Sequence, residues 1–429
     1  MKKTLAVFAL VAISVAVIVL TAAHGQNSNG NKFRRMSADK KIANQYIVVL
    51  KDDVADVDGV AHRLARDFGG DRNNGQTYHR AIKGFSVRMN EQQALRLADD
   101  PQVAFIEEDG VVSLNTTQTG ATWGLDRIDQ RDLPLDHTYR HTGSGHGVTV
   151  YVFDGGVSMD HPELAGRVRR GYSAFPEDPA ICNAHGTAVA GAIAGKTLGV
   201  APDAEIVDVK MVQCEKLRGT IRGIVEGAKW AIEDHRRHPA SPAVANWSFI
   251  ADTAARIPAL DSSVAALRAA GIPVVVSAGN LEINACRVSP GNADGTIVVG
   301  ASALVRDGDR GNVDPIDRRA PGTAWGPCVD LYAPGDSVLL PSLDKDQSPT
   351  VQLWNGTSMS AGYVSGAAAL YLETNPAATP DDVAQYLRQT ATKNVVRDSK
   401  SPFSRMLFVG PRAQDVRSVA DARREAGQQ

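Results

Sequence analysis

Three side chains in this chain of 429 residues have the types needed to attack an acyl bond. Asp154 ends the apolar run Val150-Tyr151-Val152-Phe153. His185 opens the small-residue stretch His185-Gly186-Thr187. Ser358 stands in Asn355-Gly356-Thr357-Ser358-Met359-Ser360, at the amino end of an alanine-rich segment. A serine alcohol is a poor nucleophile at neutral pH. It needs a base to take its proton, and the base needs an anion to fix its tautomer. Asp, His and Ser supply those three roles, and the order Asp…His…Ser is one of those in which the set occurs. A helix starting beneath Ser358 would also favour negative charge at an attacked carbonyl. Taken singly each residue has a bland reading: a strand-end Asp caps, a His starts a helix, Gly-Thr-Ser makes a turn. Together, each at a strand end or helix start, they read as a catalytic set.

Positioning such a set takes alternating strands and helices, and the spacing of apolar residues predicts them. Strand patterns fall at 148–153, 206–212, 243–248, 272–277 and 297–300. Helical patterns fall at 185–195, 221–233, 262–270, 359–372 and 381–389. Regular alternation predicts an α/β fold, a parallel sheet with helices on both faces, with the site at the carboxyl ends of strands. The earlier sequence has another rhythm. Strands at 46–50, 85–89 and 103–106 enclose helices at 60–68 and 91–99, which predicts a small α+β domain of the split βαβ (ferredoxin-like) kind. A polar run at 114–122 follows, expected to be exposed and cuttable. The divisions are a leader at 1–23, a linker at 24–44, the small domain at 45–115, the large domain at 116–411 and a polar tail at 412–429.

Hydrophobic residues are 43% and charged residues 22%, enough for a large core, and the formal charge is only -2. No basic stripe argues for nucleic acid. Met1-Lys2-Lys3 followed by an uncharged apolar run to Ala23 is the layout of a secretory signal peptide. The run is also long enough to span a bilayer. Small residues at its end favour cleavage and a chain secreted outside the cell or into a periplasm, free of the membrane. The four cysteines, Cys182, Cys214, Cys286 and Cys328, fit two disulfides in an exported chain, with three pairings open. A zinc site is the other reading, but no CxxC pair or histidine cluster supports it.

These stretches resemble the subtilisin-like protease family, in its proteinase K and aqualysin branch. The resemblance is carried by Trp123-Gly124-Leu125-Asp126-Arg127-Ile128, by Asp160-His161-Pro162-Glu163, by Cys182-Asn183-Ala184-His185-Gly186-Thr187, by Ser277-Ala278-Gly279-Asn280 and by Gly356-Thr357-Ser358-Met359. It covers about 45–407. It implies peptide-bond hydrolysis with Ser358 as nucleophile, His185 as base and Asp154 as orienter. It implies an oxyanion hole from Asn280 and Ser358, and a substrate cleft at Ser248, Phe249, Ile250, Ala278 and Gly279. It implies that the small domain is an inhibitory propeptide, with self-cleavage near Asn115-Thr116. It also implies the disulfides Cys182–Cys214 and Cys286–Cys328. No cofactor is needed for the chemistry. A structural Ca²⁺ is implied at Asp330, with main-chain oxygens near Asp294 and Thr296. Partners are protein or peptide substrates and the chain's own propeptide, and a monomer is expected.

The chain departs from the family close to the chemistry. Asp154-Gly155-Gly156 stands where the family has Asp-Thr/Ser-Gly. Ala188 replaces the second His of His-Gly-Thr-His. Ser248-Phe249-Ile250-Ala251 replaces Ser-Leu-Gly-Gly, so a branched side chain enters a pocket normally lined by glycine. Lys216-Leu217-Arg218 replaces Gly-Ser-Gly on the opposite wall, and Ser360-Ala361-Gly362-Tyr363 replaces Ala-Thr-Pro-His. Two readings follow: an active endopeptidase with narrowed specificity, or a protease-like protein that self-cleaves at most once and acts by binding a partner. An α/β-hydrolase acting on esters is a third, but Ser358 lacks the Gly-x-Ser-x-Gly elbow.

Overall fold

A computed structural model describes residues 32–36, 41–72, 75–110, 115–251, 255–306 and 315–410. The expected leader lies outside the described residues, as does the tail beyond 411. The chain divides into two compact units, Met1–Val112 and Ser113–Gln429.

In the first unit the elements are β1 (Phe33–Arg34), β2 (Lys41–Leu50), α1 (Val57–Asp67), β3 (Thr77–Tyr78), β4 (Gly84–Arg88), α2 (Glu91–Ala98) and β5 (Val103–Gly110). The sheet order is β1-β5-β2-β4-β3, antiparallel except for β1 beside β5. Val48 and Leu50 alternate inward along β2 and meet Ala61 and Leu64 of α1 and Ala94 and Leu97 of α2 in one core. Helix α2 starts with a capping box, in which Asn90 and Gln93 bond each other's backbone N–H. The linker expected at 24–44 is too long. Phe33 is buried against Tyr46 and draws β1 onto the sheet, and β2 begins already at Lys41.

The second unit continues with β6 (Asn115–Thr119), α3 (Trp123–Asp129), β7 (Thr138–Thr142), β8 (Thr149–Asp154), β9 (Val168–Ser173), α4 (His185–Ala194), β10 (Glu205–Lys210), β11 (Val212–Gln213), β12 (Arg218–Gly219) and α5 (Ile221–Arg237). Then come β13 (Ala243–Trp247), α6 (Pro258–Ala269), β14 (Val274–Ser277), β15 (Ile297–Val305), β16 (Ile316–Arg319), β17 (Leu331–Pro334), β18 (Val338–Leu343), β19 (Pro349–Trp354), α7 (Thr357–Thr374), α8 (Pro380–Thr390), β20 (Thr392–Lys393) and β21 (Arg405–Met406). The central sheet runs β20-β21-β17-β15-β14-β13-β8-β10-β9, with β16 antiparallel on β15. From β21 to β9 every neighbour along this path is parallel.

Parallel inner strands are buried on both faces, which is why β8 is apolar without alternation. Val150 and Val152 face one core with Val189 and Ile193 of α4 and Val364 of α7. Tyr151 and Phe153 face the other, with Ile224 of α5 and Val264 of α6. The chain leaves β8 for β9 and β10 on one side, then crosses to β13, β14 and β15 on the other. This reversal between β8 and β13 puts the ends of those strands at the sheet's switch point, where open α/β sheets bind ligands.

Within the polar run at 114–122, expected to be exposed and cuttable, Asn115–Thr119 is a strand paired antiparallel with Thr138–Thr142, and Thr117, Thr119 and Gly120 are exposed. Backbone pairing satisfies a polar segment as well as water does. The disulfides are Cys182–Cys214 and Cys286–Cys328, the pairing that the resemblance implied. Among the described residues, Asp178 with Cys182 and Cys214 is the one grouping of potential metal ligands, and its two sulfurs are bonded to each other.

Candidate active site

Asp154 is the last residue of β8 and His185 the first of α4, and the two meet. His185 Nδ1 stands 2.8 Å from Asp154 Oδ2 and 3.0 Å from Oδ1. The carboxylate is buried, with 6% of its side chain exposed, while the imidazole is 31% exposed. Gly155 N–H donates to Asp154 Oδ1 at 2.7 Å. Gly186 makes the approach of α4 possible, because a β-carbon there would lie 2.5 Å from the carbonyl of Gly156. Burial pushes the imidazole's pKa down. The charge of Asp154 and its hydrogen bond outweigh that, and the pKa lies above the ordinary 6.5.

Ser358 is the second residue of α7, which packs against α4. Its N–H belongs to the first turn, where no intrahelical acceptor exists. Its hydroxyl donates to the carbonyl of Ser248 at 3.2 Å, and Ser248 Oγ donates to the carbonyl of Ser358 at 3.0 Å. Among the described residues no hydrogen bond joins Ser358 to His185. Such contacts between nucleophile and base commonly tighten only with substrate bound.

Asn280 follows β14 beside the start of α7. Its Oδ1 accepts from both Thr357 N and Thr357 Oγ1, each at 3.0 Å. Two donors at one end require the amide oxygen there, so the NH₂ faces away from Thr357 as a free-standing donor. Thr357 Oγ1 also accepts from Gly279 N at 3.1 Å. The turn Gly279-Asn280 is thereby fixed to the helix that carries Ser358.

The residues expected to line the cleft divide. Ser248 and Ile250 follow β13, and Gly279 faces Ile250. Phe249 instead stacks on Trp247, 5.4 Å between centroids, and Ala278 is buried in the same core. The Phe249 side chain is half-buried there and that of Ala278 is buried. Ala188 and Tyr363 are wholly buried between α4, α7 and the sheet, so these departures change packing rather than the cleft. At Gly155 a β-carbon would meet nothing nearer than 3.6 Å, so the family's hydroxyl residue fits the space that glycine leaves. Leu217 lies at the β11–β12 turn, with φ of 50° and 53% exposure.

Asp330 does not fit the calcium implied for it. One of its oxygens accepts from Val298 N at 2.9 Å and the other from Arg388 Nε at 2.8 Å. A guanidinium already supplies the positive charge, whereas calcium needs several free oxygen ligands.

A model described as "Subtilase family" matches residues 145–405, and one described as "Peptidase inhibitor I9" matches residues 45–115. This chain is a member of the subtilase family. It is 39% identical over 338 residues to an extracellular serine proteinase of Thermus sp. (strain Rt41A), covering 78% of this chain and 77% of the relative. It is 32% identical over 389 residues to a cuticle-degrading serine protease of Arthrobotrys oligospora, covering 85% and 90%. A crystal structure of a cold-adapted subtilisin-like serine proteinase superposes with a TM-score of 0.59 at 36% identity, covering 68% of this chain and all of that one. The subtilase is thus a serine protease with an I9 propeptide domain ahead of its enzyme domain, and its chemistry needs no cofactor.

Sequence reasoning passed over four residues that support the site of this subtilase. Asn246, inside the apolar strand β13, donates from Nδ2 to Ser248 Oγ at 2.9 Å and accepts from Ser365 Oγ at 2.9 Å. A polar residue within Ala243-Val244-Ala245-Asn246-Trp247 was the available signal, since a buried amide needs partners. Thr357 anchors Asn280. Trp354 stands edge-on to the His185 ring, 6.2 Å between centroids, and nothing in its spacing announced that.

Proposed function

We propose that the chain is an exported, self-processing zymogen whose mature enzyme cuts peptide bonds through an acyl-enzyme on Ser358. The observation that supports this best is His185 Nδ1 held by both oxygens of Asp154. With Nδ1–H donating to the carboxylate, Nε2 carries the free lone pair. The Ser358 hydroxyl turns from the Ser248 carbonyl, gives its proton to Nε2 and attacks the carbonyl carbon. Asn280 NH₂ and Ser358 N–H then receive the oxyanion. His185 returns the proton to the leaving amine, and water repeats the sequence to release the acyl group. Asp154 stays ionised and stabilises the imidazolium.

Export rests on the apolar leader pattern and on two disulfides, which persist in oxidising compartments. The I9 domain is proposed to inhibit its own enzyme until released by a cut near Asn115-Thr116. Purified wild type and Ser358→Ala variant, compared by N-terminal sequencing, test this. Cleavage in the wild type alone is expected; both uncut, or both cut alike, overturns it.

Ile250 favours a second reading, a protease-like binding protein, because it brings bulk into the cleft. Labelling by a fluorophosphonate, read with turnover of added peptides, separates the two. Rapid labelling that disappears in Ser358→Ala, together with repeated turnover of added peptides, is expected of the enzyme, whereas the binding protein turns over no added peptide.

A further inference from the structure

The segments that leave the carboxyl ends of β13 and β14 flank Ser358. Ser248-Phe249-Ile250 runs on one side, tied to Ser358 through the two bonds of Ser248. Gly279-Asn280 runs on the other, tied to Thr357. On that protease reading, the side chain of an acyl residue carried on Ser358 Oγ, with its oxygen at Asn280 NH₂, is assigned to the gap between these segments.

Ile250 stands in that gap. A β-carbon built on Gly279 would lie 3.2 Å from Ile250 Cγ2 and 3.3 Å from its Cδ1. The branched side chain therefore lies over the face of Gly279 that a glycine leaves bare. Neither wall is free to retreat. Gly279, at φ of 101°, donates its N–H to Thr357 Oγ1, and its carbonyl accepts from Ala324 N at 2.8 Å. Opposite, Ala251 N donates to the carbonyl of Ser289 at 2.9 Å, just beyond Ile250. Closely packed walls pinned by hydrogen bonds do not open for one extra ring.

Resting on the protease reading above, we propose that Ile250 is the specificity-determining residue of this subtilase and turns it away from peptide bonds that follow leucine, phenylalanine or another bulky residue, in favour of bonds that follow small ones. A methyl or hydroxymethyl group fits beside the isoleucine. A leucine or phenylalanine side chain must compete with it for the same volume, and such a clash appears in kcat/KM because the acyl residue is seated most tightly in the transition state.

The test uses the full-length chain, expressed and purified, with its active fraction counted by a fluorophosphonate against Ser358→Ala as blank. Peptides differing only in the residue before the cut are then compared. We expect alanine, glycine and serine to exceed leucine and phenylalanine by at least about tenfold in kcat/KM per labelled site. Ile250→Gly, and Ile250→Ala as the milder replacement, should raise kcat/KM for phenylalanine by about tenfold or more and so narrow or reverse that ratio. Phenylalanine or leucine cleaved as well as alanine by a fully labelled wild type overturns the proposal and leaves the protease reading intact. So does an unchanged ratio in both labelled variants. Absence of Ser358-dependent labelling overturns the protease reading, and this proposal with it.

Discussion

Ser358 and Ser248 hold each other reciprocally, each hydroxyl donating to the other's main-chain carbonyl, at 3.2 Å and 3.0 Å. The pair ties the start of α7 to the end of β13 and parks the proposed nucleophile. Behind it the bonds continue from Ser248 to Asn246 and Ser365, all buried.

Replacing Ser248 by alanine removes one hydroxyl from this chain and leaves Asn246 Nδ2 without its partner, while the Ser358 carbonyl keeps its helical bond. A buried group so orphaned costs about 1–3 kcal/mol. The expected result is a loss of that size in urea unfolding. Fluorophosphonate labelling should persist at a reduced rate, since the Ser248 carbonyl remains.

Asp154→Asn should keep the fold and lower kcat by about 10⁴-fold with little change in KM, because an amide favours the wrong imidazole tautomer. His185 must be neutral to accept a proton, so kcat/KM rises with pH through its pKa. The raised pKa in the wild type places that limb above pH 6.5. Removing the carboxylate charge should move the limb to lower pH. A pH profile whose limb stays in place speaks against Asp154 as the source of the shift.

Thr357→Val keeps the shape of the side chain but removes the hydroxyl that bonds both Asn280 Oδ1 and Gly279 N. Asn280 then keeps only the Thr357 N–H as anchor. We expect kcat to fall with KM little changed, by less than the roughly 10²–10³-fold loss known for deleting such an oxyanion donor in subtilisin. Asn280→Ala should give the full loss, and the double variant should be no worse than Asn280→Ala alone.

Asp208 is buried in β10, bonded to Arg170, and burial pushes its carboxyl up to about 6, with Arg170 pulling the other way. A carboxyl with a higher pKa folded than unfolded binds its proton better in the folded state. Its stabilising effect is complete below about pH 4 and is lost as pH rises towards 6. The loss is on the order of 3 kcal/mol. Asp208→Asn should flatten this part of the Tm-against-pH curve. An unchanged slope would assign it to other groups.

Much of the fold was legible because burial writes its period into sequence. The five elements at 46–106 and the alternation after 148 follow from apolar spacing alone. Short elements were not legible: β1, β6 and β7 draw their stability from pairing partners distant in sequence, which no local period records. Calcium at Asp330 failed for the same reason, since Arg388 comes from a helix 58 residues later.

By itself the sequence determined which reactive side chains exist, which lie at strand ends and helix starts, and which cysteines were available. The tertiary structure alone decided that His185 meets Asp154, that Thr357 turns the Asn280 amide outward, that Phe249 and Ala278 face the core, and that Ile250 lies over Gly279. The reason is physical. Apolar periodicity is a property of one segment and its solvent, whereas a hydrogen bond or a filled gap between segments far apart in the chain exists only once the sheet has brought their ends together.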